Sequence, residues 1–487
     1  MNRIFLRAAA IWLLLNLLTL TGYPAVWVDE ILSADAGIHL AQGKGFVSAA
    51  WFNQPSWEFW ASYPPLYALA LSGWLKVLGV SAFAVRSFGL LLITAALVML
   101  WLVWKRIDES APRWLIVAAL AISEPLAFLE RAGRPDSVSV FLLCATAWVF
   151  MAKTWRWRAP MLFVLGLLAA PAALQYAAYV LVLALLLHIW FQPFTRRDLT
   201  LWTAGAASGI AVLAGIYTSH HVLKIFLEST LASKHSSAGR LLQNVVLGRG
   251  ERPFVLADIV TAPLRDWATP IVIAGGLLAW WFAKRVNDPH ARRLSSFGIA
   301  CGVLVPLVIQ LLGKYPIYYA YMGLMPATMA IIAATERLGP KMRFAKWAIF
   351  VALLLGGAGR FWWKGWTQSP QDYFYLATPI TNEDTVVADY PTYYRMIGHC
   401  RELFAVGYAG GKVMPHFPAD QAGRVSKMLV RDSMFADVAK KVGGQWQRSG
   451  EALFIHGNSA TPLATIDDDT RKPDKEPIGI YVRVPSP

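Results

Sequence analysis

The sequence predicts a polytopic α-helical membrane protein of about eleven transmembrane helices, with amphipathic helices on the outer face and a small C-terminal α/β soluble domain. Three observations carry this prediction. Of 487 residues, 56% are hydrophobic and only 15% are charged, a balance unlike that of an ordinary soluble protein. Runs such as Phe88 to Trp104 and Trp347 to Gly357 hold almost no charge, and a bilayer requires about 20 apolar residues per span. Basic clusters punctuate those runs at intervals, and the pattern ends near residue 363, where charge rises.

The net charge of +15 comes largely from these clusters. Basic composition also suits nucleic acid, but the blocks fall where cytoplasmic loops belong, so topology accounts for them and no nucleic-acid partner is expected. Cys144 and Cys301 lie in apolar runs and Cys400 stands alone near the C-terminus, which implies no disulfide framework. Arg3 and Arg7 before Ala8 to Leu20 imitate a signal peptide, but Thr21-Gly22-Tyr23-Pro24 is a poor cleavage site. The segment is expected to be a retained first helix starting in the cytoplasm.

The blocks are Arg3/Arg7, Lys105/Arg106/Arg113, Lys153/Arg156/Arg158, Arg196/Arg197, Lys284/Arg285/Arg292/Arg293 and Arg337/Lys341/Arg343/Lys346. If all are cytoplasmic, two crossings separate each neighbouring pair. That places helices near 8–23, 83–104, 114–130, 137–152, 159–174, 176–193, 199–217, 267–283, 294–312, 320–335 and 347–363. The 159–193 stretch is barely long enough for two, with a break near Pro171 to Gln175, and short helices cost little.

Residues 1–363 thus form the transmembrane domain, with outer loops at 24–82 and 218–266, and residues 364–487 form an outer α/β domain. In the first loop, Asp29 to Ala41 reads as a helix lying on the membrane, with Ile31, Ala34, Ile38 and Ala41 on one face. Gly43-Lys44-Gly45 ends it, and Pro64-Pro65 opens another helix through Leu78. In the tail, Thr385 to Asp389, Glu402 to Val406, Ala452 to Ile455 and Gly479 to Arg483 read as strands, and Met434 to Val442 as a helix.

Carboxylates at span ends are costly unless solvated or used. Asp29-Glu30 follows the first span and Asp136 follows the third, so odd-numbered crossings bring them to one face. The pair alone fits acids at a helix N-terminus, favoured by the dipole, better than it fits a general base. Asp136, in Glu130-Arg131-Ala132-Gly133-Arg134-Pro135-Asp136, reads equally as a helix cap in a salt-bridged turn and as part of a site where arginines hold a lipid phosphate. Arg86 sits near the outer end of the second span, snorkelling or facing a polar cavity.

The ordered motifs resemble the GT-C membrane glycosyltransferases, in the branch with protein O-mannosyltransferases, aminoarabinose transferases and lipid A galacturonosyltransferases. The matching elements run in order through roughly residues 1–340. They are Asp29-Glu30 on a helix ending at Gly43-Lys44-Gly45-Phe46, Tyr63-Pro64-Pro65-Leu66-Tyr67, Lys76-Val77-Leu78-Gly79, Arg86, Arg134-Pro135-Asp136, and Lys314-Tyr315-Pro316-Ile317-Tyr318-Tyr319 running to Met325-Pro326. Two departures stand out. Tyr63 occupies a position where several relatives carry a lysine or histidine, and Gln175-Tyr176 replaces a lysine in the fifth–sixth helix hairpin.

The resemblance implies an inverting glycosyltransferase of the bacterial inner membrane. It would move a sugar from a polyprenyl-phosphate donor, such as undecaprenyl phosphate, to a hydroxyl of lipid A, polysaccharide, lipid or protein on the extracytoplasmic side of the cell envelope. It casts Asp29 as base, with Glu30 and Asp136 shaping the site or contacting the acceptor. Tyr63, Arg86, Arg131, Arg134, Lys314, Tyr318 and Tyr319 are candidate contacts to the donor phosphate or substrate. A lipid-linked sugar flippase would place charges near mid-membrane in repeated, interrupted helices, a pattern not seen here, and a glycan ligase would share this layout. A divalent metal is a further possibility, with His220, His221 and His235 as weak candidates because adjacent histidines do not readily share one ion. Trp12, Trp101, Trp104, Trp114 and Trp202 sit near span ends as an interfacial belt. Trp51, Trp57 and Trp60, in the first outer loop, suit membrane anchoring better than sugar stacking.

Overall fold

The computed structural model describes residues 3–24, 26, 28–51, 54–107, 113–191, 195–229, 268–311, 319–367, 375–376, 380–406, 419–453 and 478–484. Helix occupies each of the predicted segments, from Arg3–Thr19 to Ala358–Thr367. Among the described residues, three helical stretches are long and apolar enough to cross a membrane by themselves, Ala82–Arg106, Arg196–Ser219 and Gly339–Thr367. Others are shorter or broken, so helix length alone does not establish a count of eleven. The 159–193 stretch divides into Arg158–Leu167, a single turn at Ala169–Ala172, and Leu174–Phe191.

The third predicted segment is two helices, Arg113–Ala121 and Glu124–Leu129, with Ser123 extended between them and Pro125 opening the second. A second break, at Gly357, faces the first. Ala358 N–H donates to the Ile122 carbonyl at 2.9 Å, so one interrupted helix supplies the donor that the other lacks. A Cβ on Gly357 would lie 2.1 Å from that carbonyl oxygen, which makes the close approach specific to glycine.

The Arg158–Leu167 and Arg196–Ser219 helices cross on a glycine seam. A Cβ would stand 2.1 Å from Trp202 O at Gly166, 2.1 Å from Phe163 O at Gly205 and 2.2 Å from Leu167 O at Gly209. Where lipid gives helices little hydrophobic reason to associate, backbone proximity of this kind supplies the contact.

The Val28–Ala41 helix departs from expectation. Ile31, Ala34 and Ile38 are buried as an apolar face requires, but Glu30, Asp35 and His39 on other faces are buried too. The Leu66–Leu78 helix crosses at Gly37, where a Cβ would lie 2.7 Å from Ala68 O. The C-terminal region covers another side. This helix is therefore an enclosed element, not one lying on a membrane with a wet face. It ends where expected, at Gly43 and Gly45, both with positive φ (78° and 92°).

The C-terminal region builds a six-stranded mixed sheet in the order β1-β5-β6-β4-β2-β3. The strands are β1 (Tyr375–Leu376), β2 (Thr385–Asp389), β3 (Glu402–Val406), β4 (Lys427–Arg431), β5 (Trp446–Leu453) and β6 (Ile478–Arg483). β2 runs parallel to β3 and β4, while β6 pairs antiparallel with β4 and β5. The pattern anticipates β2, β3 and β6 and misses β1 and β4; the expected strand at Ala452–Ile455 overlaps only the end of β5, and its last two residues lie outside the described residues. The Asp432–Val442 helix buries Met434, Val438 and Val442 against Val387, Met428 and Val430, each side chain contributing about 1.5–3 kcal/mol. A backbone tie joins the sheet to the loop after the Val28–Ala41 helix, with Ala405 N–H donating to Ala49 O at 3.1 Å.

Candidate active site

Asp29 and Glu30 occupy the first turn of the Val28–Ala41 helix. Asp136 opens the Asp136–Met151 helix, where Pro135 pre-sets the entry. The turn before it carries Gly133 at φ 57°. A Cβ there would lie 2.7 Å from Glu30 Cγ and 3.0 Å from Val85 Cγ1. Gly133 thus permits both the left-handed turn and its close seat against the acidic helix.

Arg134 joins the two acids. Its Nε donates to Asp136 Oδ2 at 2.8 Å and its Nη1 to Asp29 Oδ2. The side chains of Arg134 and Asp136 are buried, while that of Asp29 keeps 33% of its surface. Of Asp29, Glu30 and Asp136, Asp29 has the most exposed side chain.

Glu30 is held differently. Arg86 Nε donates to its Oε1 at 2.9 Å and Nη2 to its Oε2 at 2.7 Å, with both side chains fully buried. The remaining arm of Arg86 donates to Leu20 O at 3.2 Å. Burial raises the Glu30 pKa above the ordinary glutamate value, and the Arg86 guanidinium opposes that rise. A bidentate, fully enclosed pair of this kind fixes geometry more than it adds stability.

Arg131 points elsewhere. Its Nη2 donates to Asn16 Oδ1 and Thr19 Oγ1, each at 2.7 Å, and its Nη1 to Thr19 O at 2.8 Å. It braces the end of the first helix. Tyr63 is half-buried, and its carbonyl accepts from the Tyr217 hydroxyl at 3.2 Å. Tyr319 is half-buried at the foot of the Tyr321–Arg337 helix. Lys314, Tyr318 and His235 lie outside the described residues. His220 is exposed and stacks on Phe59 with ring centroids 3.9 Å apart. His221 has φ 60° in the adjoining turn. Among the described residues, no group of three His, Cys, Asp or Glu side chains is arranged to hold a metal ion.

Several groups here escape sequence reasoning. The Tyr67 and Tyr321 hydroxyls are buried without a hydrogen-bond partner among the described residues, and the buried Tyr394 hydroxyl lies beside Glu30. Tyr67 feels the charges of Glu30, Arg134 and Asp136, and Tyr394 those of Glu30 and Arg86. Burial raises both phenols well above their ordinary value. Six residues beyond Asp29, the Asp35 carboxylate accepts from Ser48 Oγ and Ala49 N at 2.7 Å each and from the Tyr393 hydroxyl. His39 Nδ1 lies 3.4 Å from its Oδ1.

A helical bundle with acids gathered at one end and a small C-terminal sheet is an architecture with counterparts of similar fold among solved structures. The individual likeness is to ArnT, the aminoarabinose transferase, from Cupriavidus metallidurans. Its crystal structure bound to undecaprenyl phosphate aligns over 99% of this chain and 98% of that one, with a TM-score of 0.59 at 12% identity. The apo structure aligns over the same shares with a TM-score of 0.50 at 11% identity. At such identity the likeness is one of fold. No protein-family model matches the sequence, nor does any curated protein.

Proposed function

We propose that this chain is an inverting glycosyltransferase. It would move a sugar from a polyprenyl-phosphate donor to a hydroxyl of an extracytoplasmic acceptor, with eleven spans setting both the acids and the C-terminal region on the outer face. The observation that carries the reading is the partly exposed Asp29, tied through Arg134 to buried Asp136 at one end of the bundle. The fold shared with an ArnT captured on undecaprenyl phosphate supports the donor class. The basic blocks, all at the opposite helix ends, support the orientation.

In this mechanism the acceptor oxygen attacks the anomeric carbon from the face opposite the phosphate. A carbon–oxygen bond forms to the acceptor, the bond to the phosphate oxygen breaks, and the acceptor proton passes to Asp29. Polyprenyl phosphate leaves with its charge stabilised by fixed cations. Arg134 and Lys314 are the cations assigned to that charge, with Tyr63, Tyr318 and Tyr319 as hydrogen-bonding contacts. Arg86 and Arg131 hold the frame through Glu30 and the first helix, and Asp136 holds Arg134 in place.

The test is reconstitution with a polyprenyl-phosphate sugar and envelope acceptor fractions. Free polyprenyl phosphate should appear only when acceptor is present. Movement of the lipid-linked sugar across liposomes without that release would replace transferase with flippase, and wild-type turnover by Asp29→Asn would remove Asp29 from its role.

A further inference from the structure

At the far end of the bundle from the acids, five helices enclose a cavity of about 340 Å³, within the range of small-molecule pockets. It lies between the C-terminal halves of Ala82–Ile107 and Asp136–Met151, the later turns of Leu174–Phe191, the start of Pro289–Leu311 and the middle of Tyr321–Arg337. Arg86 and Trp104 sit 18 residues apart on one helix, which puts this cavity roughly 27 Å from the acidic cluster. The two share no lining residue.

The walls are apolar, with Leu143, Phe150, Leu183 and Phe297 among them. Two features are not. Trp104 lines the cavity at 3% exposure, and its indole N–H has no acceptor among the described residues. A buried donor left unmet costs about 1–3 kcal/mol. Second, Arg106, Lys153 and His290 are among its lining residues. Arg106 lies over the Trp148 ring, 4.9 Å from its centroid, and donates to Trp148 O at 3.3 Å. Asp288, the acid nearest His290 in sequence, accepts from Arg337 Nε at 2.9 Å and from the His290 and Ala291 backbone N–H groups at 3.0 Å. Glu336 is paired with Lys346.

We propose that this cavity binds one acyl chain of an anionic phospholipid from the leaflet opposite the acids. The phosphate would sit among Arg106, Lys153 and His290, and a glycerol-ester carbonyl would accept from Trp104 Nε1. A polyprenyl tail would fill apolar space but offers no oxygen to the indole or the cations, which is why the occupant is a phospholipid rather than the far end of a donor. The inference rests on the membrane reading and not on the transferase chemistry.

The experiment uses the full-length protein, delipidated in detergent and titrated by native mass spectrometry with phosphatidylglycerol, phosphatidylcholine and polyprenyl phosphate. Phosphatidylglycerol should bind tightest, and the double substitution Arg106→Gln/Lys153→Gln should weaken it roughly thirtyfold, the effect expected of two surface cations on an anionic lipid. Ala147→Phe, which fills the cavity from a half-buried position, should abolish the tight site. Should that variant misfold, the double substitution still decides. Equal retention of phosphatidylcholine, indifference to the double substitution, or displacement of phosphatidylglycerol by polyprenyl phosphate would each overturn the proposal.

Discussion

Two aspartates on one helix, Asp29 and Asp35, are treated in opposite ways. Asp29 keeps a third of its side-chain surface and is held by one arm of Arg134. Asp35 is entirely buried and is ringed by Ser48, the Ala49 amide, His39 and Tyr393. The first arrangement leaves carboxylate lone pairs open. The second leaves almost none and ties the helix to the C-terminal region. Adjacent turns therefore differ, one keeping an acid open to its surroundings and the next using an acid to lock the helix in place.

That division can be broken by experiment. The largest effect expected is on turnover. Asp29→Asn should lower transfer by about 10²–10⁴-fold while shifting stability by less than about 1 kcal/mol, since the side chain is partly solvated. Thermal unfolding beside the transfer assay checks both halves, and an equal loss of stability would erase the contrast. Asp35→Ala should do the reverse. It strands a buried histidine and several donors, costing about 3–5 kcal/mol in unfolding free energy.

Tyr393→Phe removes one hydrogen bond to a charged acceptor and should cost about 1.5–3 kcal/mol. Amide hydrogen exchange along residues 28–41 should rise in step, and an unchanged profile would show that the tie carries no load.

The smallest effect concerns pH. Burial pulls the His39 pKa down, but Asp35 outweighs it, so the folded value lies above the ordinary 6.5 despite opposition from Lys44. Burial likewise pushes Asp35 up, yet His39, Ser48 and Tyr393 hold it below the ordinary 3.8. A group with a raised folded pKa contributes fully below its unfolded value and loses that contribution as pH rises through the folded one. Melting temperature should therefore decline above pH 6.5, and His39→Gln should flatten that limb. The Asp35 contribution fails only in acid, below its depressed folded value.

What the sequence made legible follows the same contrast. Asp29 and Asp136 announce themselves because a charge at the end of an apolar run is costly, and Pro135 marks the turn that brings Arg134 between them. The helix-period pattern places Asp35 and His39 away from the Ile31–Ile38 stripe, hence toward water. That side is buried because Ser48, Ala49 and Tyr393, the last of them 358 residues later, close over Asp35, and no local pattern encodes this. The Arg86–Glu30 pair is hidden for the same reason, since its partners are 56 residues apart. Strand β4 is missed because only Met428, Leu429 and Val430 are apolar between Lys427 and Arg431. The Gly205–Gly209 seam looks like ordinary helix composition until the neighbouring backbone is seen against it.

The span between Asp35 and Tyr393 has a consequence for biosynthesis. The partners lie 358 residues apart, and at about 5–20 residues per second of synthesis the aspartate waits roughly 18–72 s for its last donor. Arg86 reaches Glu30 within about 3–11 s on the same scale. The bundle can therefore seat its acidic helix early and provisionally, and the final latch closes only when translation has passed Tyr393.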